Sequence, residues 1–336
     1  MTKRRTLYFI APKQVEVREE PLPAPLPGQM LVQTVVSAIS SGSEMLIYRG
    51  QFPPDLVDEH DLLSSGLGYP VAYGYACVGR VIQSGKELDP SWEGRLVFSF
   101  QPHTSHFLAT PVDVFPVPDG LSPDKAAFLP NMETAVNLVQ DGAPILGERV
   151  LVFGQGVIGL LTTALLREFP LEKLVSVDSY ACRRTAASAL GVSACLDPAG
   201  PDFASVARGL LEPQADLTYE LSGNPRALDD AIALTRFSGR VVIGSWYGEK
   251  RAALDLGGSF HRSRIRLVSS QVSSIAPELS GRWDRVRRFA VAWSALKRVC
   301  PEKWITQRFP LERAAQAYDL LDKSPSEAIQ VVFDYR

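Results

Sequence analysis

Leu151-Val152-Phe153-Gly154-Gln155-Gly156-Val157-Ile158-Gly159 is the stretch that decides the fold. A short apolar run leads at once into G-x-G-x-x-G, and an apolar helical pattern begins at Val157, so the glycines sit in the strand-turn-helix context that the motif needs. Each glycine then has a separate task. The first makes the tight turn, the second lets a pyrophosphate approach the backbone, and the third packs the helix against the strand. The diphosphate meets the positive N-terminus of that helix. Gly154, Gly156, Val157, Ile158 and Gly159 are therefore expected to hold a dinucleotide. Asp178 follows about 20 residues later at the end of the next strand, where a carboxylate accepts hydrogen bonds from the adenosine ribose and repels a 2′-phosphate. This favours NAD over NADP. Arg183 and Arg184 pull the other way as cations able to receive a 2′-phosphate, or they flank the adenine.

Working outward, apolar strands and helices alternate from about Ser122. Strands are expected at 149–153, 174–177, 194–196, 217–220, 240–243 and 265–269, with helices starting near Val157, Ala181, Phe203 and Arg226. Buried apolar strands alternating with helices predict a parallel sheet covered on both faces, and six strands joined by roughly five crossovers match a doubly wound dinucleotide fold. Before this lie short β-branched segments at 7–10, 30–37, 76–82 and 95–100, separated by turns rich in Pro and Gly, which predict an antiparallel, barrel-like domain. After Ser280 come two amphipathic helices (283–299 and 311–321) and a last strand (330–335), expected to return to the first domain. The expected division is 1–121, 122–275 and 276–336.

The chain has 336 residues, which suits two domains, with a formal net charge of −2 and 46% hydrophobic residues. That balance gives no reason to expect a nucleic-acid partner. Cys77, Cys182, Cys195 and Cys300 stand singly with no C-x-x-C, so neither a disulfide framework nor a thiolate zinc cluster is expected, and a reducing cytoplasm fits. The N-terminal stretch lacks a continuous apolar region, and the longest apolar run is shorter than the roughly 20 residues of a membrane span. No membrane association is expected. A homodimer acting on a small-molecule substrate is.

With these motifs the chain resembles the medium-chain dehydrogenase/reductase superfamily of zinc-type alcohol dehydrogenases. The matching pieces run in order from Pro21-Leu22-Pro23, Gly28 to Val32 and Ile47-Tyr48-Arg49-Gly50 through Gly79-Arg80-Val81 and Val117-Pro118-Asp119-Gly120. Thr134-Ala135, Gly147-Glu148-Arg149-Val150, the glycine motif and Glu220-Leu221-Ser222-Gly223 complete them. The resemblance implies a GroES-like β-barrel catalytic domain with a Rossmann domain inserted before the chain returns to the barrel. It also implies that Thr134, Ser222 and Trp246 line the cofactor. Asn131 to Ala135, Ser245-Trp246-Tyr247-Gly248 and Ser269 to Val272 are similar to a zinc-free branch that includes bacteriochlorophyllide 2-hydroxyethyl dehydrogenase.

Where zinc-dependent members of the superfamily carry Cys, a His-Glu pair and a third ligand, this chain has Ser40 or Ser41, Tyr75-Ala76, and Pro130 or Asn131. Hydroxyl, phenol and amide groups are poor zinc ligands beside thiolate, imidazole and carboxylate. The cysteine-rich structural zinc loop is missing as well, since Phe98 runs to Phe107 without a cysteine. Without zinc, a side chain must take or give the proton. Ser43 stands where relatives place the serine or threonine of a proton relay. Tyr75, with an ordinary pKa near 10, and His103, near 6.5, are the acid/base candidates beside it. A tyrosine in a barrel is also an ordinary core residue, and a histidine after proline an ordinary loop residue. Glu44 and Glu133 could orient such a group, or serve as surface or helix-cap residues. His60 and His106 read as loop residues and His261 as flanking a strand. Arg262, Arg264, Arg266, Arg282, Arg285, Arg287 and Arg288 read as a solvated basic face, with a substrate carboxylate as the alternative partner.

The expectation is thus a zinc-independent NAD(H)-linked oxidoreductase that interconverts a secondary hydroxyl and a carbonyl on a medium-to-large substrate. An NADPH-dependent quinone or enoyl reductase and a non-catalytic dinucleotide-binding scaffold are the alternatives. The ligand positions predict that purified protein carries no stoichiometric zinc and that its activity survives chelation. Elemental analysis finding about one zinc per chain overturns this, because the chain would then have built a metal site from other residues.

Overall fold

Residue patterns with a period of two build the N-terminal elements. The structure, a computed structural model, describes residues 3–51 and 68–336, so His60 lies outside the described residues. β1 (Lys3–Ala11) and β2 (Gln14–Pro21) form an antiparallel hairpin around Pro12-Lys13, where Lys13 takes φ +61°. Leu7 and Phe9 of β1 are buried, whereas β2 is charged and answers β1 with Lys3–Glu19 and Arg4–Glu20 pairs. In β2 only Val15 and Val17 alternate with the charged residues, packing on the Leu7 and Phe9 side of the core, and this two-residue apolar signal is too short to stand out among its charges.

β3 (Met30–Ala38), α1 (Ser43–Tyr48), β4 (Val71–Ala72), β5 (Cys77–Ser84), β6 (Leu96–Ser99), β7 (His106–Ala109), β8 (Phe115–Pro116) and α2 (Pro123–Ala126) follow. The nucleotide region comprises α3 (Leu129–Gly142), β9 (Arg149–Phe153), α4 (Val157–Leu166), β10 (Lys173–Val177), α5 (Ala181–Ser188), β11 (Ala194–Leu196) and α6 (Phe203–Leu211). It continues through β12 (Ala215–Glu220), α7 (Ala227–Ala233), β13 (Thr235–Ile243), β14 (Arg266–Ser269) and α8 (Arg285–Val299). β15 (Ile305–Phe309), α9 (Ala314–Lys323) and β16 (Gln330–Asp334) end the chain.

Two units result, one of Met1–Pro130 with Leu296–Arg336 and one of Asn131–Ala295. These limits differ from the expected 121/122 and 275/276. The boundaries fall inside α3 and α8, because Arg288 of α8 is bonded into the second unit through Glu133 and Asn137.

The first unit has a three-stranded sheet, β2-β1-β4, and a seven-stranded sheet in the order β15-β16-β3-β5-β6-β8, with β7 also paired to β3. Residues 103–105 stitch the two together. Leu7 N–H donates to the His103 carbonyl, Ser105 N–H to Arg5 and Thr34 N–H to Ser105. Their core joins Leu7, Phe9, Ile39, Met45, Tyr318 and Phe333. Cys77 is buried in the neighbouring core, and burial pushes its thiol up to about 12.

The second unit is a parallel sheet in the order β11-β10-β9-β12-β13-β14, the doubly wound order with its switch between β9 and β12. Successive residues face opposite sides. Val150 and Val152 join Leu138, Leu166 and Tyr219, while Leu151 and Phe153 join Leu211, Leu228 and Ile232. One crossover departs from the expected pattern, since β13 reaches β14 through a single wide turn at Leu256–Phe260 instead of an α-helix. Among the described residues no helix is long and apolar enough to cross a membrane.

Phe333 is fully buried, edge-on to His103 at 4.9 Å between ring centroids and 6.3 Å from Tyr318. Phe333→Ala should cost about 3–5 kcal/mol of stability, read as a lowered midpoint in urea unfolding of the first unit. A shift under about 1 kcal/mol would show that this core collapses around the gap.

Candidate functional site

The glycine loop forms the turn between β9 and α4. Gly154 has φ +85°, and a Cβ there would lie 2.6 Å from the backbone of Leu221 and Ser222. A Cβ on Gly159 would overlap the Gly154 carbonyl oxygen, so the first turn of α4 can seat only without a side chain. At Gly156 a Cβ would meet nothing closer than Arg183 Nη1 at 3.7 Å. The three environments correspond to the turn, the close helix packing and the open face through which a ligand approaches. Gly156 is the N-cap of the ten-residue α4 and makes no side-chain cap, Val157 is buried and Ile158 half-buried.

Asp178 follows β10 and is buried. Its Oδ2 accepts the Gln155 N–H at 2.6 Å and its Oδ1 the Tyr180 N–H at 2.8 Å. These bonds fix the carboxylate against the glycine loop and leave each oxygen a further lone pair. Arg184 donates to the Asp178 and Ser179 carbonyls and pairs with Asp197 at 3.0 Å. Arg183 lies over the Tyr180 ring, 4.8 Å from its centroid. Beyond β11, whose Leu196 carbonyl accepts the Asp178 N–H, a cavity of about 270 Å³ is lined by Leu196, Asp197, Pro201 and Phe203 among others.

On the other side of the switch, Ser222 is set by Glu220, a member of the matching Glu220-Leu221-Ser222-Gly223 piece to which motif reading gave no role. Glu220 ends β12 fully buried, and its Oε1 accepts the Ser222 N–H at 2.9 Å and the Ser222 hydroxyl. Its Oε2 accepts the Tyr247 hydroxyl. Burial and the Glu220 carboxylate push the Tyr247 phenol well above the ordinary tyrosine range. Trp246, 39% exposed, is carried by this anchored segment after β13. Thr134 is half-buried in the first half of α3. An apolar strand ending in a carboxylate, then Ser-Gly, with a tyrosine after the next strand, was the available signal.

In the first unit, the structure removes His103 from the acid/base candidates. It is fully buried, with Nδ1 2.6 Å from Ser37 Oγ and Nε2 2.9 Å from Glu44 Oε2. With both nitrogens occupied and no surface, it meets no substrate. The residue lies in a stitch between two sheets and not in a loop tip. Glu44 is corrected from surface or cap to buried hub, since its Oε2 also accepts the Tyr318 hydroxyl at 2.5 Å and its Oε1 the Ser40 N–H at 2.8 Å. Burial and that carboxylate push the Tyr318 phenol well up. Ser43 opens α1 half-buried, with its N–H on Ser40 Oγ at 3.3 Å. Tyr75 is half-buried and edge-on to Tyr73, 6.2 Å between centroids. His106 lies in β7 instead of a loop, and His261 is exposed.

Two further expectations change. Glu133 is buried and paired with Arg288, whose Nη2 donates to it at 2.8 Å. Arg288 therefore does not belong to the solvated basic face. It falls in helical register with buried Phe289, Ala292, Ala295 and Leu296, and this register was the readable signal.

Among the described residues no group of three or more His, Cys, Asp or Glu could hold a metal ion. Ser40 or Ser41, Tyr75, and Pro130 or Asn131, which the resemblance puts at zinc-ligand positions, offer neither thiolate, imidazole nor carboxylate and do not fit zinc.

A family profile described as zinc-binding dehydrogenase matches residues 157–291, a span that contains none of those ligand positions. Over 344 aligned residues the chain is 24% identical to 2-desacetyl-2-hydroxyethyl bacteriochlorophyllide A dehydrogenase of Cereibacter sphaeroides, covering 97% of this chain and 96% of that one. Among solved structures, 2R,3R-butanediol dehydrogenase of Bacillus subtilis superposes with a TM-score of 0.80 at 19% identity, covering 99% of this chain and 100% of that one. An alcohol dehydrogenase of Escherichia coli CFT073, complexed with NADH, superposes with a TM-score of 0.79 at 17% identity over 99% of both chains.

Because Asp178 is fixed with lone pairs to spare, NADH should bind more tightly than NADPH, and Asp178→Gly should narrow that preference by about 1.5–3 kcal/mol. Titration of both dinucleotides by fluorescence measures it. An unchanged ratio means that Asp178 serves only the Gln155 and Tyr180 amides.

Proposed function

We propose that this chain, which belongs to the zinc-type medium-chain dehydrogenase/reductase superfamily, is an NAD(H)-dependent dehydrogenase that works without a catalytic zinc. Its proposed reaction interconverts a secondary hydroxyl and a carbonyl on a medium-to-large organic substrate. The observation that carries the cofactor assignment is the glycine turn leading into α4 beside a buried Asp178 that its own backbone holds in place. When bound, the nicotinamide supplies the hydride acceptor or donor.

The remaining tasks belong to this chain's residues. The first amides of α4 face the diphosphate, and the open side of Gly156 gives it room. Asp178 accepts from the ribose hydroxyls, and its negative charge disfavours a 2′-phosphate, which argues against the NADPH-dependent reductase reading. The cavity beyond β11 takes the adenine. Thr134, Ser222 and Trp246 line the other half of the cofactor.

In the first unit, Ser43 and Tyr75 take the hydroxyl proton during oxidation and return it to the carbonyl oxygen during reduction. His103 stays in the core, held between Glu44 and Ser37.

Tyr75→Phe should lower kcat by about 10²- to 10⁴-fold and remove a high-pH inflection of the kcat profile, with the NADH dissociation constant within a few-fold. His103→Ala should act differently. It leaves a cavity and takes one of three hydrogen-bond partners from the buried Glu44 carboxylate, costing about 2–5 kcal/mol of stability, read as a lowered melting temperature. Near-native kcat in Tyr75→Phe on a confirmed substrate would move proton transfer to Ser43 and water. Dinucleotide binding without turnover of any hydroxyl or carbonyl substrate would favour the scaffold reading.

A further inference from the structure

We infer that Arg288 is a positioning residue that holds the segment after β14 in place at the nicotinamide end of the dinucleotide crevice. The inference rests on the dinucleotide reading above. Arg288 is 1% exposed, and its five N–H donors all have acceptors. Nε and Nη2 donate to Glu133 Oε1 at 3.1 and 2.8 Å, and Nη1 donates to Asn137 Oδ1 at 2.8 Å. The other two donors reach backbone carbonyls, Nη1 that of Ser274 at 3.1 Å and Nη2 that of Val272 at 2.5 Å.

The same segment is tied where it leaves β14. The Ser270 hydroxyl donates to Asp141 Oδ2 at 2.6 Å, and Asn137 Nδ2 donates to Ser270 Oγ at 3.0 Å and to Asp141 Oδ2 at 2.9 Å. Glu133, Asn137 and Asp141 recur every fourth residue, so one face of α3 presents carboxylate, amide and carboxylate in a row. Burial pushes the carboxyls of Glu133 and Asp141 above the ordinary range, and Arg288 opposes this for both.

The place of this segment follows from the sheet order. In a doubly wound sheet the dinucleotide lies across the carboxyl ends of the strands at the switch, here between β9 and β12. Asp178, after β10, fixes the adenosine half on one side. The nicotinamide half then extends over β12, β13 and β14, which lead into Ser222, Trp246 and Ser270. The backbone of residues 270–274 is thus tied by buried side chains at the edge where hydride transfer needs a fixed geometry. A buried ion pair adds little stability over well-packed apolar residues, but five directed donors on a planar guanidinium allow essentially one arrangement of the carbonyls they hold. Loop order of this kind raises affinity by lowering the cost of ordering on binding.

The test compares two probes on the full chain, NADH and ADP-ribose, which ends at the second ribose and lacks nicotinamide. In Arg288→Met the dissociation constant of NADH should rise about tenfold while that of ADP-ribose stays within about twofold. Equal losses for both probes, or no loss for either, overturn the inference, because a purely structural role would not separate them. If Arg288→Met does not fold, Ser270→Ala removes one anchor of the same segment and is read in the same pair of titrations. There a loss of about threefold confined to NADH supports the inference, and equal shifts or none overturn it. Failure of the unsubstituted chain to bind either probe would overturn the dinucleotide reading itself, and this inference with it.

Discussion

At Gly159 there is no room for a methyl group, because the Gly154 carbonyl occupies the place a Cβ would take. This contact lets the first turn of α4 sit directly on the end of β9, and much of the nucleotide unit follows. Gly154 backs onto Leu221 and Ser222, which joins the turn to the end of β12, and the Gln155 amide reaches Asp178, which joins it to the end of β10. One tight turn therefore sets the relative positions of three strand ends. The N-terminus of α4 is presented at the place where the sheet order switches, with its first amides free of any side-chain cap.

Around that turn the unit uses buried charge to fix loops. A buried carboxylate is costly unless it is hydrogen-bonded, and each one here accepts at least two hydrogen bonds. Asp178 holds the glycine loop, Glu220 ties the segments after β12 and β13 through Ser222 and Tyr247, and Glu133 with Arg288 ties the segment after β14. The arrangement is directional where an apolar core would be tolerant. Apolar contacts keep the strands packed but do not choose one backbone conformation for the residues beyond them.

The first unit shows the same principle in its core. Glu44 gathers Ser40, His103 and Tyr318, and His103 passes the network to Ser37 and Tyr335. These residues come from β3, α1, the stitch at 103–105, α9 and the C-terminus, so the hub ties together segments far apart in sequence. Its loss would be felt as loosened sheet packing. In this chain the most conspicuous histidine is fully buried in that network, and Tyr75 is half-buried against the same core, edge-on to Tyr73.

The sequence by itself determined the alternation of strand and helix from Arg149 to Ser269, the turn at Gly154 to Gly159 and the place of Asp178. Each of these is a local matter of backbone conformation, close approach or hydrophobic period, and such signals lie within a few neighbouring residues. What only the tertiary structure decided is the environment of each charged group. His103 and Glu44 stand 59 residues apart in the chain, and Glu133 and Arg288 stand 155 apart. Whether such a residue is buried or solvated depends on partners that local pattern does not name. Arg288 was read with its exposed arginine neighbours, since composition sees seven like charges while the fold turns one of them inward. β2 was missed because its apolar alternation is only Val15 and Val17 long, set among charged residues that pair across to β1. Tertiary contact assigns roles where the physical cause is long-range, and sequence assigns them where it is local.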